Sequence, residues 1–285
     1  MNEVREVAQI VRGMPTSDGA GVRLTRVIGQ PQLADLDPFL MLDEFGTDNP
    51  TDYIAGFPAH PHRGFETVTY MLDGRMRHKD NHGHEGVLVP GGVQWMTAGR
   101  GIVHSEMPEQ QAGRMRGFQL WLNLPAAQKM AAPAYQEFDP DRIPVAIPAP
   151  GVQVKVIAGR VGNVQGPISQ PATDPTYLDI SLAAGATYAH LLPAGHAAFV
   201  YVFEGSVQVG GADAPVVGIH QLAVLGPGSQ VSLRGPGAPA EVAGGRVILV
   251  AGRPLKEPVA RYGPFVMNTQ AELIQAFQDF QSGRF

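Results

Sequence analysis

Cysteine is absent from this 285-residue chain. That absence removes disulfides, thiolate-held metals and thiol nucleophiles together, so any redox chemistry must come from a metal or a bound cofactor. Charge is also scarce: Asp, Glu, Lys and Arg make up 16% of the residues and the net charge is −5. With no Lys/Arg-rich run, the chain has no footprint for neutralising a nucleic-acid backbone, and no direct nucleic-acid partner is expected. No apolar run approaches membrane-spanning length and no basic-then-apolar segment opens the sequence, which points to a cytoplasmic protein with no membrane partner.

Glycine (35) and proline (25) are plentiful and dispersed among apolar runs, as turn punctuation in an all-β protein is. Hydrophobic residues at 44% can fill a core, and the length allows one large or two ordinary domains. Val4–Val11 and Val22–Ile28 alternate like two strands joined by the turn-rich Gly13–Gly19, and Phe39–Phe45 reads as another. Asp43 and Glu44, at the end of that strand, are expected to be structural.

The chemistry concentrates between Gly56 and Met107, in two doublets, His60-Pro61-His62 and His104-Ser105-Glu106. Residues i and i+2 of a strand point to one face, so two neighbouring strands would bring four metal-type ligands together. Three imidazoles and a carboxylate suit iron, copper, nickel, zinc or manganese better than magnesium or calcium. Between the doublets, Thr67–Leu72 is a β-branched strand closing on the hairpin signal Asp73-Gly74, and Gly86–Gly92 is a short strand ending in a Pro-Gly turn. His78, His82 and His84 lie in a turn-rich stretch and are expected in a solvated loop. Phe57, Met71, Trp95 and Met96 are candidate pocket residues, although plain barrel core explains each of them more simply.

From Pro125 to Pro150 the sequence becomes Ala- and Pro-rich and reads as a domain connector with one short helix near Ala126–Met130. It suggests two domains, residues 1–132 and 133–285. Strands resume at Val152–Ile157 and Tyr177–Leu182. The second half then echoes the first: VTYMLDG (Val68–Gly74) returns as FVYVFEG (Phe199–Gly205), and VLVPGG as VLGPG. Carried across, these offsets set Leu191 and Pro193 opposite His60 and His62, and Ala240 and Val242 opposite His104 and Glu106. The second half is therefore expected to hold no metal. The tail has one helix, capped by Asn268 or Thr269 with Glu272 completing a capping box, stopped by Gly283, and bearing an apolar stripe of Leu273, Ile274, Phe277 and Phe280.

The runs FPAHPHRGFETVTYMLDG and WMTAGRGIVHSEMP, together with GPFVMNT and its helix, resemble the pirin family of the cupin superfamily along nearly the whole length. That resemblance implies two antiparallel, jelly-roll-like β-barrel domains facing each other (a bicupin), with a short C-terminal helix. It further implies one metal in the N-terminal barrel, usually iron as Fe(II), on His60, His62, His104 and Glu106, with the C-terminal barrel metal-free. Glu66, which fills the carboxylate place of the general cupin motif, is left beside the site. Trp95 stands where cupins in general carry a His. The resemblance implies a dioxygenase of the quercetin 2,3-dioxygenase type, acting on a flavonol-like aromatic with dioxygen; Glu106, a carboxylate beside the hydroxyl that such a metal would bind, is the candidate base for it. The alternative is a metal-dependent, redox-sensing regulator that binds a protein partner without turnover. A monomer is expected, because two closed domains in one chain create no demand for an oligomer.

Overall fold

A computed structural model of the chain describes residues 3–237 and 244–285. Contacts divide the chain into two compact units, each discontinuous in sequence: residues 14–141 with 255–285, and residues 1–13 with 142–254. This division differs from a cut at 132/133, because each end of the chain packs into the unit built mainly by the other half.

In the first unit, a seven-stranded antiparallel sheet runs in the order Ala134–Phe138, Val93–Thr97, Phe65–Asp73, Met115–Asn123, Phe39–Thr47, Val22–Ile28, Met14–Asp18. A four-stranded sheet is ordered Phe57–His62, Ile102–Pro108, Met76–Asp80, Glu85–Leu88. The central strands Phe65–Asp73 and Met115–Asn123 are buried along almost their whole length, polar positions such as Glu66, Thr67 and Thr69 included. Met14–Asp18 pairs with Val22–Ile28. The alternation at the N-terminus therefore identified strands but not partners, since Val7–Arg12 pairs with Gln221–Leu225 in the other unit's sheet.

The second unit repeats the pattern. Its seven-stranded sheet is ordered Val7–Arg12, Gln221–Leu225, Ala197–Glu204, Gly245–Gly252, Thr176–Leu182, Val152–Ala158, Val145–Ala149, and its four-stranded sheet Thr187–Leu191, Gln230–Arg234, Ser206–Val209, Val216–Gly218. The strand order of both sheets matches the internal echo in the sequence, and each unit is a cupin barrel. The interior of the second barrel is packed with Val, Leu and Ile side chains, each contributing roughly 1.5–3 kcal/mol on burial.

The Pro-rich stretch from 125 to 150 is more ordered than a connector. It holds the 3-10 turns Ala126–Gln128 and Pro140–Arg142 and two edge strands, one for each seven-stranded sheet. Proline is tolerated there because an edge strand leaves one row of N–H groups outside the ladder. The C-terminal helix spans Gln270–Gln281, with both halves of the Thr269–Glu272 capping box formed. It buries Leu273 and Ala276 against Phe265 and Met267, with Phe277 packed alongside. Ile274 is 52% exposed, so Ala276 takes the place expected for it on the inward stripe. A residue adjacent to Leu273 is turned by about 100° on a 3.6-residue helix.

Candidate metal centre

The strand Phe57–His62 lies antiparallel to Ile102–Pro108, with His60 opposite His104 and His62 opposite Ile102. Two consecutive turns of the pleat thus aim both His60 and His62 at the face that carries His104. The ring centroids are 4.7 Å apart for His60–His62, 4.4 Å for His60–His104 and 5.0 Å for His62–His104. One nitrogen from each ring falls within 4.8 Å of the others, a grouping able to hold a metal ion.

His60 Nδ1 lies 2.8 Å from the Pro58 carbonyl. As a donor there it leaves Nε2 with its lone pair free, which is how a ligating imidazole has its tautomer set. His62 and His104 are buried. Both ring nitrogens of His104 lack a hydrogen-bond partner among the described residues, and such orphaned buried groups each cost about 1–3 kcal/mol unless something satisfies them. Burial, reinforced by the neighbouring His104 and His60, holds the His62 pKa well below the usual histidine value. Burial and the His60 and His78 charges bring His104 down to about 3. Both rings are therefore neutral at pH 7, the form a metal requires, and the residues present fit a transition-metal ion.

Glu106 is reached through an irregularity in the pairing. The register slips between His104 and Glu106, which places Glu106 opposite Phe57 on one side and His78 on the other. Its carboxylate is buried and accepts a hydrogen bond from Thr69 Oγ1 at 3.1 Å. Burial pushes its pKa up, and His60 and then the Thr69 bond pull against that. Thr69 Oγ1 also lies 2.6 Å from the Gln119 side-chain amide. A hydroxyl donates only once, so with Glu106 ionised the Gln119 amide must turn its N–H toward Thr69. Glu66, fully buried on the strand that carries Thr69, accepts from Thr97 Oγ1 at 2.6 Å; neither it nor Glu106 is among the grouped ligand atoms, which come from the three histidines alone.

A cavity of about 700 Å³ opens on this face, and His60, His62 and Glu106 are in its wall. Of the candidate pocket residues only Phe57 lines it; Met71, Trp95 and Met96 are buried core. Sequence reasoning missed Asp43, Gln119, Trp121 and Arg261, all of which border the cavity. Asp43 is buried and ion-paired with Arg26 at 2.7 Å, while its neighbour Glu44 faces the other way and pairs with Arg116 at 2.8 Å. The alternation of Phe39–Thr47 held that information, but nothing in the sequence showed which face would meet a cavity.

The other histidines are placed differently. His78 is not in a solvated loop: it is buried in the strand Met76–Asp80, with Nε2 2.8 Å from Glu137. His82 and His84 do lie at a turn, where Asp80 accepts both of their backbone N–H groups. In the second barrel, Thr187–Leu191 and Gln230–Arg234 occupy the places of the two metal-bearing strands. Leu191 is exposed there and Pro193 follows the strand, whereas Ala240 and Val242 lie outside the described residues. The inward positions belong to Tyr188 and His190, bonded to each other at 2.9 Å, and to Val231 and Leu233. Among the described residues, the His60–His62–His104 cluster is the one metal-type grouping.

The family model described as Pirin matches residues 21–122, and the Pirin C-terminal cupin domain matches residues 177–285. A pirin-like protein of Caulobacter vibrioides is 56% identical over 283 residues, covering 99% of each chain. A Pseudomonas aeruginosa protein, named provisionally as a quercetin 2,3-dioxygenase, is 53% identical over 287 residues, again covering 99% of each. The crystal structure of quercetin 2,3-dioxygenase from Acinetobacter baumannii superposes with a TM-score of 0.89 at 33% identity, covering 99% of this chain and 98% of that one.

Proposed function

This chain belongs to the pirin family of cupin proteins, and from that premise we propose that it is a metal-dependent dioxygenase of the quercetin 2,3-dioxygenase type. The observation that carries the reading is the joining of a three-histidine cluster to a cavity of about 700 Å³ with aromatic walls, a volume in the range of small-molecule sites and suited to a flat polyphenol. His60, His62, His104 and Glu106 would hold the ion, with Fe(II) the first choice and copper, nickel, zinc or manganese the alternatives. When bound, it supplies a Lewis acid and a one-electron couple for reaction with dioxygen.

The protein's own residues do the rest. The cavity wall orients the flavonol so that its 3-hydroxyl meets the cluster, and Phe57 and Trp121 hold the ring plane. Glu106 receives the 3-hydroxyl proton at a carboxylate oxygen. Its burial gives it a higher proton affinity than an exposed carboxylate, and the Thr69 hydroxyl donates to one of its oxygens.

The test is dioxygen uptake with quercetin by protein of measured metal content, beside His62→Ala. Uptake that follows the metal and disappears in the variant supports the dioxygenase. Metal-replete protein that consumes no dioxygen overturns it in favour of a metal-dependent binding protein without turnover.

A further inference from the structure

Two guanidinium groups border the cavity, and they are engaged very differently. Arg26 is committed: its Nε and Nη2 donate to both oxygens of Asp43 at 2.9 and 2.7 Å, and Nη2 also reaches Asp18 at 2.8 Å. Arg261 has one hydrogen bond among the described residues, from Nη1 to the Leu40 carbonyl at 3.0 Å. Among the described residues no carboxylate forms an ion pair with it, Asp43 and Asp35 acting only at longer range, so most of the five N–H donors of its planar fork are unspent.

This free fork is nevertheless held in place. Arg261 Cζ sits 5.0 Å from the centroid of the Trp121 ring, a cation–π contact that, with the Leu40 bond, fixes where the guanidinium lies. The His62 ring lies against the same indole, with centroids 5.2 Å apart, as does the Phe65 ring at 4.3 Å. The indole N–H of Trp121 is itself buried, closed off from the cavity solvent. One indole thus contacts both a ligand-type histidine and an exposed guanidinium bordering the cavity. The unspent donors at this part of the wall are those of the Arg261 fork, so a ligand that engages them must bring acceptors.

We propose that Arg261, backed by Trp121, is a specificity-determining subsite for an anionic oxygen, best a carboxylate, carried on the end of an aromatic ligand opposite the one that meets the histidine cluster. A carboxylate takes two parallel N–H bonds from a guanidinium fork, which a neutral hydroxyl cannot do. The subsite rests on the proposed aromatic-ligand reading of the cavity and goes beyond it by stating which substituted aromatics are preferred.

The test is binding calorimetry on metal-loaded protein in dioxygen-free buffer, where turnover cannot intrude, comparing 3-hydroxyflavone with its 4′-carboxy derivative. The wild type is expected to prefer the carboxylate by about tenfold, the usual scale of a charge-assisted pair. Arg261→Gln should abolish the preference, read as the ratio of the two affinities so that any common change through Trp121 cancels. Arg261→Lys, which keeps the charge but not the fork, should retain only part of it. No preference in the wild type, or a preference that survives Arg261→Gln, overturns the proposal. A second pair, 2-naphthol and 2-naphthoate, separates the two readings. If neither flavone binds but naphthoate is favoured in an Arg261-dependent way, the flavonol reading fails and the subsite stands; if neither pair is discriminated, the subsite falls.

Discussion

Burial and a bound cation would pull the Glu106 proton in opposite directions. An apolar enclosure raises its affinity for a proton, whereas a divalent ion on the neighbouring histidines lowers it, and Thr69 decides which oxygen stays fixed. Replacing Glu106 with Gln keeps the shape and removes the base. Turnover is expected to fall by about a hundredfold or more with flavonol affinity changed only a few-fold, as a split of kcat from KM would report. Thr69→Val should fall between the two and retain its metal by elemental analysis. Gly64 sets a second residue-scale constraint. It follows the His60–His62 doublet with φ of +88°, and a Cβ there would stand 2.0 Å from the Val266 carbonyl oxygen. No small shift relieves that clash, so Gly64→Ala is expected to destabilise the fold and reduce metal content together.

Among the elements, the C-terminal helix is tied to the turn beside the metal strands. Arg63, the residue after His62, is buried and pairs with Asp279 on the helix at 2.7 Å. It also donates to the Arg100 carbonyl and lies 4.3 Å from the Phe285 ring centroid. Hydrogen bonds from Arg63 and then Arg284 hold the Asp279 carboxyl well below its ordinary value of 3.8. The sign follows from the depressed folded value: the ionised carboxylate is worth more in the native state, so the stabilisation is full above the ordinary value and declines as pH falls below about 4. Asp279→Asn should lower the melting temperature at pH 7 and flatten the stability curve between pH 4 and 2, as thermal unfolding across that range would reveal. At the other end of the helix, Thr269→Ala removes the hydroxyl that accepts from the Glu272 N–H and is expected to cost about 1 kcal/mol.

At the scale of the whole molecule, the exchange of chain ends distributes stability unlike a simple two-domain string. Arg5 enters the second unit fully buried and donates to the carbonyls of His196, Pro193 and Ala194, with Gly226 at 3.4 Å. Burial lowers its pKa, and the cluster of carbonyls is what makes the buried charge tolerable. Arg5→Met strands those acceptors and should destabilise the protein by about 2–3 kcal/mol. Folded Arg5→Met protein should still bind its full metal content, because every cluster ligand belongs to the first unit.

The sequence by itself determined the all-β class, the internal echo, the capped C-terminal helix and the convergence of His60, His62 and His104. Each of these is a local pattern, a period of two, a turn signal or a capping box, that survives without knowledge of long-range pairing. Strand partners were decided only by the tertiary structure. Val7–Arg12 looks like its near neighbours in alternation yet pairs with Gln221–Leu225, and the echoed offsets missed the inward pair Tyr188 and His190 because the loops of the second barrel differ in length. The same holds for the cavity. Asp43 and Glu44 are adjacent and chemically alike, and only the packing of their strand sent one to the cavity with Arg26 and the other to Arg116. Which face of a strand meets empty space depends on where the other sheet lies, and so does the placing of Arg261 against Trp121, a contact between residues far apart in the chain.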